Sequence, residues 1–217
     1  MPRDVSELFT FDEFLTHWGS ERADRVALRE EDRVYSYAEL DEATAKVASA
    51  LFAAGLQKGD RIAWIGKNSD LYFLLFYGAA RAGIVMAPIG WRLSPTEWAF
   101  IVNDTQAKMV FAGPGFETLA DQLAGKLDHA PAIVDAAAAR AMIDGAAPTA
   151  FAPSGTDDAV LQLYTSGTTG NPKGAVLSNR NLFGLRKHSS DLDLPYTKWD
   201  EDEAVLVAMP CAHIGGT

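Results

Sequence analysis

Between residues 60 and 112 the chain alternates short apolar runs with longer segments that open on helix-starting signals. This alternation limits the possible fold more than any other feature. Asp60-Arg61-Ile62-Ala63-Trp64-Ile65-Gly66 reads as a strand and Asn68-Ser69 as a helix cap. Residues 71–82 then read as a helix that is apolar nearly all round, and such a helix must be buried. Gly83 ends it, and Ile84-Val85-Met86-Ala87-Pro88 follows as a strand. Ser94-Pro95-Thr96-Glu97 is a capping box with proline at the first helical position, and Ala107-Lys108-Met109-Val110-Phe111-Ala112 is the next strand. Strands separated by helices of this length pair in parallel through crossovers, not in tight hairpins. The expected class is α/β, with layered, mainly parallel sheets flanked by helices.

The flanking regions add to this frame. Residues 9–25 look like a helix with Phe11, Phe14, Leu15 and Trp18 on one face. Val26-Ala27-Leu28-Arg29 pairs through the Glu30-Glu31-Asp32-Arg33 turn with Val34-Tyr35. Ser36-Tyr37-Ala38-Glu39 is another capping box, followed by Leu40, Val47 and Leu51 on one helical face, with Gly55 as the stop. Gly113-Pro114-Gly115-Phe116-Glu117-Thr118 imitates half of a dinucleotide fingerprint. Thr118 stands where the third glycine belongs, so the segment reads as a turn opening a helix through Leu119, Leu123 and Leu127. Residues 135–156 form a surface connection with a short helix over 136–143. Ser178 caps a helix, residues 191–203 form an acidic solvated loop, and Ala204-Val205-Leu206-Val207-Ala208-Met209 is a strand leading to Pro210-Cys211-Ala212-His213-Ile214-Gly215-Gly216. Residues 71–91 are apolar enough to suggest a membrane span, but Arg81, the glycines and Pro88 interrupt them, so no transmembrane segment is expected.

Chemistry concentrates at residues 160–178, where a β-rich apolar run stops at Tyr164-Thr165-Ser166-Gly167-Thr168-Thr169-Gly170-Asn171-Pro172-Lys173-Gly174 and apolar residues resume at Ala175. That is strand, loop, strand. A polyphosphate needs closely approaching backbone N–H groups, hydroxyl donors and a cation. Gly167, Gly170 and Gly174 leave no Cβ in the way, Thr165, Ser166, Thr168 and Thr169 supply hydroxyls, and Lys173 supplies charge. The Walker A spacing is not met in any frame, because Lys173 follows Pro172 and precedes Gly174, which argues against a hydrolase of that type.

The formal net charge of −10 opposes nucleic-acid binding, which needs clustered Lys and Arg to displace counterions. An acidic chain that binds a polyphosphate must concentrate positive field locally, and Lys173 is one such point. The single cysteine, Cys211, excludes an internal disulfide framework and fits a reducing, cytoplasmic compartment; it reads as a small buried hydrophobe and not a nucleophile. The length of 217 residues suits one large or two small domains.

The string Tyr-Thr-Ser-Gly-Thr-Thr-Gly-Asn-Pro-Lys-Gly closely resembles the phosphate-loop signature of the adenylate-forming enzymes: the acyl- and aryl-CoA synthetases, peptide-synthetase adenylation domains and luciferases. Tyr35-Ser36-Tyr37-Ala38-Glu39-Leu40 is similar to the family's first motif, and residues 83–93 to its second, a scaffold motif in which Gly90 departs from a frequent asparagine. Residues 210–216 resemble the fourth motif, with His213 as the residue lining the acyl pocket together with Gly215. Cys211 and Ala212 stand where the family often has large residues, and the smaller pair would widen the acyl tunnel.

The resemblance implies that Thr165, Ser166, Gly167, Thr168, Thr169, Gly170, Lys173 and Gly174 hold the β and γ phosphates of ATP, with Thr165 also contacting Mg2+. It implies a ligase that activates a carboxylic acid as an acyl-adenylate and passes it to CoA. Trp91-Arg92-Leu93 followed by Ser94-Pro95-Thr96-Glu97 favours a medium- or long-chain fatty acid. The alternatives are an adenylation domain loading a carrier protein, and an inactive fragment that only binds nucleotide or assembles with other chains. The family's adenine, ribose and C-terminal lysine motifs are not met before Thr217, so the chain is expected to be the front part of a large N-terminal AMP-binding domain, with residues 1–157 as a first α/β part and 158–217 beginning the phosphate-loop part. A sheet cut there leaves edges that a second copy could cover, so a homo-oligomer is a further expectation.

Overall fold

The computed structural model describes residues 7–165, 172–192 and 203–216. Among them the chain builds one mixed sheet with helices on both faces and a separate hairpin. The hairpin is β1 (Val26–Glu30) against β2 (Arg33–Ser36), antiparallel around the turn at Glu31, whose φ is positive. The sheet contains β3 (Arg61–Ile65), β4 (Val85–Ile89), β5 (Met109–Ala112), β6 (Ala132–Val134), β7 (Ala159–Thr165) and β8 (Lys173–Ser178), in the spatial order β6-β5-β3-β4-β7-β8. Every neighbouring pair is parallel except β7 with β8. The α/β expectation therefore holds, with parallel strands joined by helical crossovers.

The two-residue period of β3 divides the core. Ile62 and Trp64 face a cluster built with α2 (Tyr37–Ala53), α3 (Asp70–Arg81) and α6 (Ala136–Asp144), against which α1 (Phe11–Glu21) also packs. Ala63 and Ile65 face the opposite cluster, with α4 (Pro95–Thr105) and α5 (Leu119–Leu123). The apolar-all-round helix is α3, and nearly every one of its residues is buried. Its one basic residue, Arg81, is satisfied from two helices: Nε donates to Asp12 Oδ1 at 2.8 Å, and NH1 donates to Asp41 Oδ1 at 2.6 Å and Thr44 Oγ1 at 3.0 Å. A buried guanidinium is tolerable only with such partners. Gly83, at φ +69, turns the chain from α3 into β4, in a region where a side chain would be strained.

Both capping boxes form reciprocally, Ser36 with Glu39 and Ser94 with Glu97. The first helix is shorter than the expected 9–25, because Thr10 caps it and its last turn closes at Arg22. α7 (Asn179–Asp191) starts where Ser178 accepts from the Asn181 amide at 3.3 Å. α5 stops at Leu123, so Leu127 lies outside the helix expected to carry it. Two other elements differ from expectation. β6 is an unforeseen three-residue strand paired with β5; it is too short to display alternation. Residues 204–209, expected as a strand, join no ladder, and Val205 and Leu206 are 65% and 87% exposed. β-propensity favours an extended backbone, but a strand also requires a neighbour, and none of the described strands runs beside this segment. The acidic loop expected over 191–203 lies mostly outside the described residues, and α7 occupies its first position.

Candidate active site

Because β3, β4, β5 and β7 are parallel, Ile65, Ile89, Ala112 and Thr165 end them on the same edge of the sheet. Open α/β sheets take ligands at that carboxyl edge. β8 leaves it antiparallel to β7, in the register Leu163↔Ala175, Tyr164↔Gly174 and Thr165↔Lys173. The hairpin thus brings Thr165 and Lys173 together as its last cross-strand pair, with both side chains exposed. Gly174 comes next. The expected phosphate contacts Ser166, Gly167, Thr168, Thr169 and Gly170 lie outside the described residues.

The hairpin base is held on its α4 face by an oriented chain of side chains. Arg61 Nε donates to Gln162 Oε1 at 3.0 Å, and Gln162 Nε2 donates to the Tyr164 hydroxyl at 2.9 Å. That hydroxyl in turn donates to Asp104 Oδ2 on α4. Burial, then the hydrogen bond to the Asp104 carboxylate, pushes the Tyr164 phenol far above its ordinary value, so it stays protonated and stays a donor. The ring lies across Gly174: a Cβ there would stand 2.9 Å from Tyr164 Cζ and 2.6 Å from Gln162 Nε2. The structure thus gives this glycine a close-approach reason of its own, distinct from the phosphate contact expected of it.

A second segment meets the same edge. Asn68, just beyond β3, donates from Nδ2 to the carbonyls of Val207 at 3.0 Å and Met209 at 2.8 Å, and its Oδ1 accepts from the Cys211 amide at 2.9 Å. The Tyr72 hydroxyl donates to the Cys211 carbonyl at 3.4 Å. Cys211 and Ala212 are buried, while His213 and Gly215 are exposed on and beside the short turn Ile214–Gly216. Burial pushes the Cys211 thiol up to about 12, in keeping with its reading as a small hydrophobe. Cations also gather at this edge of an acidic chain: Lys67 Nζ lies 5.3 Å and Arg92 Cζ 4.3 Å from the centroid of the Trp91 ring.

Among the described residues, no three His, Cys, Asp or Glu side chains converge as a metal site. The Thr165 hydroxyl, the expected magnesium contact, is exposed at the end of β7, and a hydroxyl is a hard oxygen of the kind that suits a hard cation retaining most of its water. No described helix is long and apolar enough to cross a membrane. Sequence reasoning missed Asp104 and the anchoring role of Asn68. Asp104 sits 60 residues before its partner and carries no local signal, and Asn68 reads locally as part of a helix start, whereas the cap itself is Ser69.

The fold and this edge define an α/β domain with a glycine- and hydroxyl-rich hairpin at the carboxyl end of a parallel sheet. The chain belongs to the AMP-binding enzyme family, whose model matches residues 15–217. It is 35% identical over 190 residues to the fatty acid–[acyl-carrier-protein] ligase ScoC of Streptomyces coeruleorubidus, covering 86% of this chain and 36% of the relative. It is 32% identical over 184 residues to the long-chain-fatty-acid–CoA ligase FadD13 of Mycobacterium tuberculosis, covering 82% and 36%. The chain therefore spans about a third of the length of these relatives. Among solved structures it superposes on O-succinylbenzoate coenzyme A synthetase (MenE) from Bacillus subtilis in complex with AMP, with TM-score 0.77, 25% identity and coverage of 94% of this chain and 50% of that one. It also superposes on the N-terminal domain of FACL13 from Mycobacterium tuberculosis, with TM-score 0.71, 30% identity and coverage of 79% and 44%.

Proposed function

We propose that this chain carries the phosphate-holding part of an ATP-dependent acid–thiol ligase. The carboxylate of a fatty acid attacks the α-phosphate of ATP, giving an acyl-adenylate and pyrophosphate, and the CoA thiol then displaces AMP to form the thioester. The observation that supports this best is the β7–β8 hairpin. It converges at the carboxyl edge on a hydroxyl and an ammonium, Thr165 and Lys173, immediately flanking the glycine-rich segment. In this reading residues 165–170 with Lys173 and Gly174 neutralise and orient the β and γ phosphates, Thr165 also touches magnesium, and the rate gain comes from charge stabilisation and in-line positioning. His213 and Gly215 line the acyl pocket. Residues 1–157 act as scaffold, residues 158–217 open the nucleotide-holding part, and the setting is cytoplasmic.

A medium- or long-chain fatty acid is favoured by the Trp91-Arg92-Leu93 context and by two relatives whose names specify fatty acids. Carrier protein in place of CoA is the second reading, favoured by the acyl-carrier-protein ligase among those relatives. Parallel thioester assays with CoA and with a carrier protein separate the two. The central test is Thr168→Ala with Thr169→Ala in the complete polypeptide carrying residues 1–217. Loss of two phosphate donors should slow ATP–pyrophosphate exchange by about a hundredfold or more while the protein remains folded. Unchanged exchange removes the assignment. If the unmodified polypeptide gives a thermal shift with ATP and magnesium but no exchange, it acts as a nucleotide-binding module without ligase chemistry.

A further inference from the structure

We propose that Tyr164 and Asp104 are positioning residues for polyphosphate binding: the Tyr164 ring clasped over Gly174, and tethered to α4 through Asp104, fixes the base from which the phosphate-holding segment springs. The inference rests on the ligase reading above and adds residues to it. Three observations support it independently of the motif.

First, the strand register puts Tyr164 directly opposite Gly174, one pair inside the Thr165↔Lys173 pair that ends the ladder. Any shift of the ring therefore displaces the residues nearest the phosphate-holding segment. Second, the contact has no slack. A Cβ on residue 174 would come within 2.9 Å of the Tyr164 ring and 2.6 Å of the Gln162 amide, and Gln162 is itself buried and held by Arg61. An aromatic ring laid over a cross-strand glycine covers the backbone and pins the register of a hairpin that would otherwise be weakly specified there. Third, the polar chain has a defined direction. It runs from the Arg61 guanidinium through Gln162 and Tyr164 to the Asp104 carboxylate, so each group polarises the next and the hydroxyl has one strong acceptor. This chain joins β3, β7 and α4, three elements far apart in sequence, at the foot of one hairpin. Neither Tyr164 nor Asp104 need touch the nucleotide; they act through the placement of Thr165, Gly174 and Lys173.

The test compares ATP, pyrophosphate and AMP binding by calorimetry in the complete polypeptide carrying residues 1–217. A positioning role for the β- and γ-phosphate contacts makes a specific demand: Tyr164→Phe, which removes the hydroxyl's bonds to Asp104 and Gln162, should weaken ATP and pyrophosphate about fivefold to tenfold and leave AMP within about twofold. Asp104→Ala, at an exposed helix position, removes the acceptor and should do the same, and it carries the test if Tyr164→Phe folds poorly. The double variant should be no weaker than Tyr164→Phe alone, because that change already removes the link to Asp104. Equal weakening of AMP and ATP would mean a fold-wide effect and overturn the proposal, as would unchanged ATP binding in both variants. The two layers of inference fail differently. Unmodified protein that prefers ATP to AMP, with variants that behave like it, removes the clasp alone; unmodified protein with no preference for ATP removes the phosphate-loop reading beneath it.

Discussion

Two segments meet the carboxyl edge of the sheet, and they are held there in different ways. The β7–β8 hairpin is paired from Ala159↔Ser178 to Thr165↔Lys173 and braced by a polar chain on its α4 face. Residues 207–211 have no ladder and depend on the amide of Asn68 with support from Tyr72. The hairpin distributes its restraint over many backbone bonds, so no one of them decides its position. The second segment draws its polar restraint mainly from one side chain, which donates twice and accepts once, while Cys211 also packs into the core cluster. Loss of Asn68 should therefore be felt locally and strongly, while losses in the hairpin should be graded.

The largest expected effect follows from that concentration. Asn68→Ala frees the carbonyls of Val207 and Met209 and leaves the Cys211 amide without its acceptor. The Cys211 thiol, 2% exposed and raised to about 12 by burial, is a built-in reporter. Once the segment lifts, its reaction with an aromatic disulfide near neutral pH should accelerate about a hundredfold, as the thiol regains access and an ordinary ionisation. Thermal unfolding should move only a little, since Cys211 is the one residue of the segment that belongs to the main core cluster. A labelling rate equal to that of the unmodified chain would mean that packing alone holds Cys211 and would erase the contrast between the segments.

Next in size is a paired substitution, Gly174→Ala against Gly215→Ala. At 174 the new methyl meets an amide and a ring that are both tethered, and overpacking of that kind costs about 2 kcal/mol. At 215 the nearest atom is Met209 Cε at 3.2 Å, the end of a flexible thioether on an exposed residue, and the cost should stay below about 0.5 kcal/mol. Urea denaturation of the two variants measures both. Equal costs would mean that the clasp over Gly174 yields as easily as an exposed methionine does.

The same contrast explains what could be read from the residues alone. The capping boxes at Ser36–Glu39 and Ser94–Glu97 are local, closing within one turn, so their spacing announces them. The centre of the parallel sheet was legible because β3, β4 and β5 are continuous apolar runs buried on both faces. The strands on either side of the glycine-rich segment were legible as strand, loop, strand, but their antiparallel register was not. The Asp104–Tyr164 link and the reach of Asn68 to residues 207–211 were not, because they depend on crossovers that bring distant positions together. Residues 204–209 misled for a related reason: Val, Leu and Met favour an extended chain, but the neighbour that would make it a strand is not encoded in the run itself.

The smallest effect tests whether acid distinguishes the two segments. Asp70 opens α3, two residues after Asn68, and its side chain is fully buried. It accepts from Arg140 NH2 at 2.7 Å and NH1 at 3.1 Å and from the Tyr35 hydroxyl at 3.0 Å, with Arg33 Nε also 3.1 Å away. Burial by itself would raise this carboxyl, but the Arg140 hydrogen bonds, a hydrogen bond with the neighbouring Glu30 side chain, the Arg140 charge and the Tyr35 hydroxyl together more than offset it and hold the group well below the usual carboxylate range. The sign follows directly. A folded-state value below the unfolded one contributes stability that is complete above about pH 4 and is lost as pH falls through and below that point. Because the helix start that Asp70 secures also carries Asn68, hydrogen exchange on acidification from about pH 5 to about pH 3 should release the Cys211 amide before the Leu163 and Ala175 amides of the hairpin. Asp70→Asn should cost about 1 kcal/mol at neutral pH and flatten the acid limb of stability. If both segments open at the same pH, the second is backed by more than the α3 start, and the concentrated restraint assigned to Asn68 must be shared with the packing of Tyr72.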